Sequence, residues 1–335
     1  MINRIIIILM IWICVRAQTT PHIRTDDKIR IREAMKISEI YSEKIWPGFS
    51  RVNFCLILVT DSVEFLINHP APSPEFSFLE EDSFLTAKVY YRRTVFDKHF
   101  LATFPALNAV NTIVVGTPEN TGKHSTAWII TLLHEHFHQF VNTSPGYYTE
   151  VNKLDLTGGD KTGMWMLNYP FPYQDHTIVN QFRKYASALA RTLASTAADS
   201  FKLNFNKYCS ERSCFRQLLQ SADYRYFSFQ IWQEGLARYS EYKFLELLDT
   251  YQPSPEVLHL PDFVPFRRYR DELYQDQYRS LLTTDLSSGK RSCFYAAGFA
   301  EGLILDRLNP NWRENYITKK FYLEKYADEF EMQEK

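Results

Sequence analysis

The spacing of apolar residues predicts a mixed first half of the chain. Between residues 26 and 46 they recur every three or four positions, which is the period of an amphipathic α-helix. Apolar and β-branched runs at residues 52–60, 88–94 and 111–116 are typical of strands. This half therefore predicts a small sheet accompanied by helices.

The second half is predicted to be helical. Helical periodicity returns in five segments, at residues 179–198, 211–220, 222–249, 271–282 and 293–308. The whole pattern predicts an α+β chain, with a mixed N-terminal lobe over residues 18–142 and an all-α C-terminal lobe over residues 179–335. We expect a cleft between the two lobes.

The two predicted lobes are joined by residues 143–178, which are rich in glycine, proline and aromatic residues. A connection of this length is uncommon unless it is functional or disordered, and its aromatic residues argue against disorder. It is interpreted as a wall or lid of the cleft. A well-packed surface loop is the alternative.

The sequence His134-Glu135-His136-Phe137-His138 has the form H-E-x-x-H and follows the apolar run 127–133. Residues four apart share one face of a helix, so His134 and His138 can offer two imidazoles to one metal ion. Glu135 is rotated by about 100° from His134 and can reach a water molecule without being a ligand. His136 is expected to point away. The alternative is a buried helix whose histidines are satisfied by hydrogen bonds.

A catalytic zinc site needs a third protein ligand and an open fourth position. Glu234, in the predicted helix 222–249, is the best candidate. The next residue, Gly235, should cost about 1 kcal/mol in mid-helix. A close approach of two helices would explain this glycine and would bring Glu234 to the metal. The alternative is a solvated glutamate beside a glycine used for packing.

The two motifs together resemble those of the gluzincin metallopeptidases, and the run 234–241 is similar to the E-G-[FL]-A-x-Y-x-E run of the aminopeptidase branch. The resemblance implies a zincin-like fold, Zn²⁺ bound by His134, His138 and Glu234, and Glu135 as the general base. Residues 139–233 separate the motifs, a longer interval than in that branch. The chain therefore resembles a divergent gluzincin with a large insertion, and the substrate class does not carry over.

Two further roles follow from the resemblance. Glu241 matches a glutamate two helical turns beyond the third ligand, and it is one candidate for a carboxylate that orients a ligand histidine. The strand at 111–116 is expected to form the sheet edge over the cleft, where a peptide could add by backbone hydrogen bonds. An oxyanion donor is also needed, and Tyr239, Tyr242 and Tyr295 are the candidates that the sequence leaves unranked.

The predicted function is hydrolysis of peptide bonds in a peptide or protein substrate, by a zinc-activated water with a glutamate base. Two alternatives stay open: a zinc hydrolase of a non-peptide amide or ester, and a non-catalytic metal-binding interaction protein with the same fold. With a net charge of −1 and no basic stripe, nucleic acid is not an expected partner. The oligomeric state is left open.

Residues 1–17 are expected to be a secretory signal with cleavage near Ala17. Arg4 precedes an apolar run from Ile5 to Val15, which is too short for a spanning helix of about 20 residues. A secreted or periplasmic protein without stable membrane insertion after cleavage is predicted, and an uncleaved anchor is the alternative.

Four cysteines follow the predicted signal, and an even number in an exported chain suggests disulfides. Cys209 and Cys214 would pair most simply, and Cys55 would then pair with Cys293. Four reduced thiols are the alternative.

Overall fold

A computed structural model describes residues 20–326, so the predicted signal at 1–17 lies outside the described residues. Twelve α-helices and one six-stranded sheet form the described part of the chain, which confirms the mixed α+β class. The helices are α1 (Thr25–Ile45), α2 (Ser125–Thr143), α3 (Tyr147–Lys153), α4 (Trp165–Asn168), α5 (His176–Ala194), α6 (Ala198–Leu218), α7 (Ser221–Gln230), α8 (Leu236–Leu247), α9 (Pro255–Leu258), α10 (Phe266–Leu282), α11 (Leu286–Gly289) and α12 (Ser292–Leu308). Within the described range, none of these helices combines the length and the apolar composition needed to cross a membrane.

The sheet is mixed, with the strand order β3-β4-β2-β1-β6-β5. Only the pairing of β1 with β6 is parallel, and the other neighbours are antiparallel. The strands are β1 (Leu56–Val59), β2 (Val63–Ile67), β3 (Ser77–Asp82), β4 (Ala87–Arg93), β5 (Leu101–Leu107) and β6 (Val110–Gly116).

The expectation that the strand at 111–116 forms the sheet edge is wrong. This strand is β6, which lies between β1 and β5, and residues 111–116 are all buried. A continuous apolar strand is typical of a position covered on both faces. The edge beside α2 is β5, which contains Pro105 and a register shift between Phe104 and Leu107. Proline is tolerated at edges and bulges, because its missing N–H breaks no ladder there.

Alternate residues of the central strands enter two different cores. Leu56 and Leu58 of β1 join the large core that also contains the helices, whereas Ile57 and Val59 join a small cluster on the opposite face. This alternation follows from the two-residue period of a strand. The helices therefore pack against one face of the sheet.

The helix that carries H-E-x-x-H, α2, is buried along almost its whole length. It packs against β5 and β6 on one side and against α1 and α8 on the other. The indole of Trp128 donates to the carbonyl of Gly116 at the end of β6, at 2.9 Å. The hydroxyl of Thr126 donates to the carbonyl of Val264 at 2.6 Å. These contacts fix α2 between the sheet and the helical half of the chain.

The predicted helix 222–249 is interrupted by a π-helical turn at Ile231–Gly235, between α7 and α8. Glu234 lies in this turn. Such turns carry one extra residue per turn and are frequent at functional sites. The turn packs against α12, where a Cβ on Gly235 would come within 2.5 Å of Gly298 Cα. Gly235 therefore allows a close approach of two elements, as predicted, but the π-helical turn approaches α12 rather than the helix α2 that carries the histidines.

The predicted disulfides are not formed, because Cys55, Cys214 and Cys293 are all thiols. Cys209 and Cys214 lie five residues apart on α6, and residues at that spacing point away from each other around a helix. Cys55 is buried at the start of β1, within 3.4 Å of the Gln139 amide. Cys293 lies near the carbonyl of Asp285 instead, at 3.5 Å.

Candidate metal centre

Three predicted ligands from two distant segments converge in space. His134 and His138 on α2 have their Nε2 atoms 3.2 Å apart. The Oε2 atom of Glu234 lies 3.8 Å from His134 Nε2 and 3.6 Å from His138 Nε2. The three residues form a group able to hold a metal ion, with ligand atoms within 4.8 Å of one another.

Each histidine has a partner on the ring nitrogen that faces away from this group. His134 Nδ1 donates to Oε1 of Glu241 at 2.6 Å, and Glu241 Oε2 accepts from Arg238 at 2.6 Å. His138 Nδ1 lies 3.1 Å from the side-chain amide of Gln233. An acceptor such as Glu241 orients an imidazole and leaves its Nε2 directed at the ligand position. The Gln233 amide nitrogen is a donor toward His138 Nδ1. The orienting role for which Glu241 is a candidate matches its contact with His134.

Electrostatics within the group favour negative carboxylates beside the histidines. Burial would raise the pKa of Glu234, but the two histidines hold it well below its usual range. Burial alone would lower the pKa of His134, yet Glu234 and Glu241 raise it to about 10. The pKa of Glu241 is lowered as well, because Arg238 and His134 outweigh its burial. A cation placed among these groups would meet carboxylates that are already ionised.

Glu135 lies outside the three-ligand group and is held by the edge strand. The hydroxyl of Thr103 on β5 lies 2.9 Å from both the backbone carbonyl and the Oε2 atom of Glu135, where it can donate to either. The Glu135 side chain is buried, and its charge is close enough to His134 to help raise the pKa of that histidine. This contact from Thr103 could not be predicted from the sequence, because β5 itself is not predicted.

His136 points away from the metal group, as expected. Its ring packs between Phe49 and Phe54, with centroids 4.7 and 4.4 Å away. Its Nδ1 donates to Oε1 of Gln139 at 2.8 Å. Burial lowers its pKa to about 4. It is a neutral core histidine.

Of the three candidate tyrosines, Tyr295 is the one that lies beside the site. Its hydroxyl accepts from Arg291 at 2.8 Å, and burial together with the nearby charge of Glu234 raises its pKa well above the usual value. Tyr239 instead donates to Asp306 at 2.8 Å, on the far side of α8. Tyr242 packs against the ring of Tyr274, with centroids 5.8 Å apart. The structure thus separates candidates that the sequence leaves equal.

The connection at 143–178 borders the site, and it contains the short helices α3 and α4. The hydroxyl of Tyr147 donates to Oε1 of Gln233 at 3.2 Å, and the same Gln233 side chain contacts His138. Further along, Leu167 and Tyr173 line a cavity together with Tyr295. The interpretation of this segment as a wall of a cleft stays a prediction.

Comparisons of the chain with known protein families, with curated proteins and with solved structures found no match. The geometry itself provides two imidazoles and one carboxylate that can bind a metal, together with a second carboxylate, Glu135, outside that set. Such a combination of groups is one that metal-assisted hydrolysis can use.

Proposed function

We propose that the chain is a zinc-dependent peptidase of gluzincin type with a zincin-like fold. His134, His138 and Glu234 would hold the zinc. The observation that carries the proposal is the convergence of these ligand atoms, from segments about 95 residues apart, beside a carboxylate that is not a ligand.

The donor set and its spacing suit zinc. Zinc binds imidazole nitrogen and carboxylate oxygen at about 2.0–2.2 Å, so tetrahedral ligand atoms stand about 3.4 Å apart. The three ligand atoms are separated by 3.2, 3.6 and 3.8 Å. Two imidazoles also favour zinc over magnesium or calcium, which prefer oxygen ligands.

When bound, zinc would polarise the scissile carbonyl and lower the pKa of a water molecule. Glu135 would accept the proton of the attacking water and deliver it to the leaving amine. The Tyr295 hydroxyl, held by Arg291, would donate to the oxyanion as it develops. Thr103 would hold the Glu135 carboxylate toward the reaction.

The edge strand β5 would bind the substrate backbone. It ends the sheet and carries Thr103, which contacts Glu135, so its open edge runs past the general base. An extended peptide can add to such an edge by main-chain hydrogen bonds. This supports a peptide as the substrate rather than a compact small molecule.

The test is to measure zinc content and cleavage of a quenched-fluorescent peptide library on the same full-length preparation. Wild type should carry about one zinc and cleave. Glu135→Gln should keep the zinc and lose about 10²- to 10⁴-fold in rate, because only proton transfer is removed. Glu246→Gln, on the same helix as Glu241 but paired with Lys243, is the control and should match wild type. Failure to load zinc, or full activity in Glu135→Gln, would contradict the proposal.

A further inference from the structure

A cavity of about 700 Å³ lies beside the metal centre. Leu167 and Tyr173 line it from the connecting segment, Arg238 from α8, and Arg291 and Tyr295 from the start of α12. Arg238 also donates to the Glu241 carboxylate that contacts His134, so the cavity shares a wall with the surroundings of the ligand group. A substrate whose reacting bond lies at the metal would extend a neighbouring group into this space.

The cavity wall carries an excess of positive charge. Its basic residues are Arg238, Lys290 and Arg291, and Asp285 is the one acidic residue among the described residues that line it. The Asp285 carboxylate is already engaged, because it accepts from the hydroxyls of Ser287 and Ser288, both at 2.7 Å. Arg238 is paired with Glu241, which does not line the cavity, whereas Lys290 and Arg291 have no ion-pair partner among the described residues that line it.

The two arginines retain hydrogen-bonding capacity. A guanidinium has five N–H donors. Arg291 uses one on the hydroxyl of Tyr295, at 2.8 Å. Arg238 uses one on Glu241, and over residues 20–326 its buried Nε has no hydrogen-bond partner. Lys123 does not line the cavity but lies within electrostatic reach of Glu241 and Arg238.

We propose that this cavity binds a carboxylate of the substrate, held by Arg291 and Arg238. The carboxylate would be an acidic side chain next to the scissile bond or the C-terminal carboxylate of the peptide. Planar guanidinium groups match a carboxylate with paired, charge-assisted hydrogen bonds. This inference rests on the proposed function, because it treats the cavity as part of a peptidase cleft.

The test uses matched peptides that differ by one charge. In the first comparison the peptides have an amidated C-terminus and differ by Glu or Gln next to the scissile bond. This residue is placed before the bond in one set of peptides and after it in another. In the second comparison the pair has neutral side chains and ends in a free acid or an amide. Binding is measured by calorimetry to zinc-loaded Glu135→Gln, so that the readout does not depend on turnover, and kcat/KM is measured with wild type.

The expected result is roughly ten- to a hundredfold tighter binding of the charged member of one pair, as charge-assisted hydrogen bonds imply. Preference for Glu over Gln identifies a side chain as the source, and preference for the acid over the amide identifies the C-terminus. Adding Arg291→Gln should reduce the preference to about twofold or less. Arg268→Gln, an exposed α10 arginine paired with Glu272, is the control for net charge and should leave it unchanged.

Because Arg291 also holds Tyr295, the ratio between matched peptides is the readout, rather than the absolute rate. Equal binding within both pairs, or a preference that survives Arg291→Gln, overturns the carboxylate site while zinc loading and cleavage still support the peptidase. Selective binding that is lost in Arg291→Gln, without cleavage of any peptide, supports the carboxylate site and counts against the peptidase.

Discussion

The Nδ1 atom of His134 lies 2.6 Å from Oε1 of Glu241, and Arg238 holds the other oxygen of the same carboxylate. This contact fixes the ring of His134 with Nε2 toward His138 and Glu234. The residue that orients the first ligand therefore lies two helical turns beyond the third ligand, on a helix that continues from the same π-helical turn.

Glu241→Gln should weaken zinc affinity by about 10- to 100-fold, because the neutral amide supports the imidazole less well. The dissociation constant can be measured by competition with a chromophoric chelator. Glu246→Gln should bind zinc like wild type. Unchanged affinity in Glu241→Gln would show that the contact has no part in metal binding.

Thr103→Val should lower kcat/KM by about tenfold while zinc binding stays the same. The substitution removes the hydroxyl that contacts the Glu135 carboxylate at 2.9 Å, and a hydrogen bond to a charged group contributes about 1.5–3 kcal/mol. Steady-state hydrolysis and zinc content of the same sample provide the measurement. In the control Thr131→Val, the lost hydroxyl serves only the backbone carbonyl of Ala127. Equal losses in both variants would contradict a specific role for Thr103.

Gly235→Ala should lower the free energy of unfolding by about 1–3 kcal/mol, as overpacking of a tight core does. The new methyl group would lie 2.5 Å from the Gly298 Cα, which is backbone and has little room to move. Urea unfolding followed by fluorescence gives the measurement. Zinc affinity should fall in the same variant, because Glu234 is the preceding residue. A variant as stable as wild type would mean that α12 and the π-helical turn can separate at no cost.

Stability should decline at alkaline pH through Cys55. Burial raises the pKa of this thiol from 9.0 to about 11. The unfolded chain loses the proton first, so the contribution is fully present below pH 9 and is lost as pH rises toward 11. The total loss is about 3 kcal/mol at most. In Cys55→Ala the free energy of unfolding should fall less steeply as pH rises above 9. In Cys214→Ala, which removes an exposed thiol, it should fall as in wild type. The same slope in both variants would exclude Cys55 as its source.

The long helices and the ligand set could be predicted from the sequence. Apolar periodicity places α1 and α12 to within a residue, although α12 is buried on every side over residues 296–302. The interval between His134 and His138 fixes their common face. Glu234 can be found because its surrounding run is similar to a known motif, and the structure brings it to the two histidines.

The remaining features depend on contacts that no local pattern records. Strand β5 contains Pro105 and lacks clean alternation, so it is not recognisable as a strand. The helix α6 starts at Ala198 rather than near residue 211. Its first turns are largely exposed, and their apolar stripe is narrow, formed by Phe201, Phe205 and Tyr208. The sequence gives no reason to prefer Tyr295 over Tyr239 or Tyr242 as the oxyanion donor. Tyr295 lies close to Glu234 because α12 packs against the π-helical turn.

The central claim is that His134, His138 and Glu234 together hold zinc. Anomalous diffraction from zinc-loaded crystals, recorded on both sides of the zinc absorption edge, tests it most directly. The account predicts one strong peak at about 2.0–2.2 Å from the Nε2 atoms of both histidines and from a carboxylate oxygen of Glu234. Absence of a peak at this position, or a zinc ion held elsewhere without Glu234, would contradict the account.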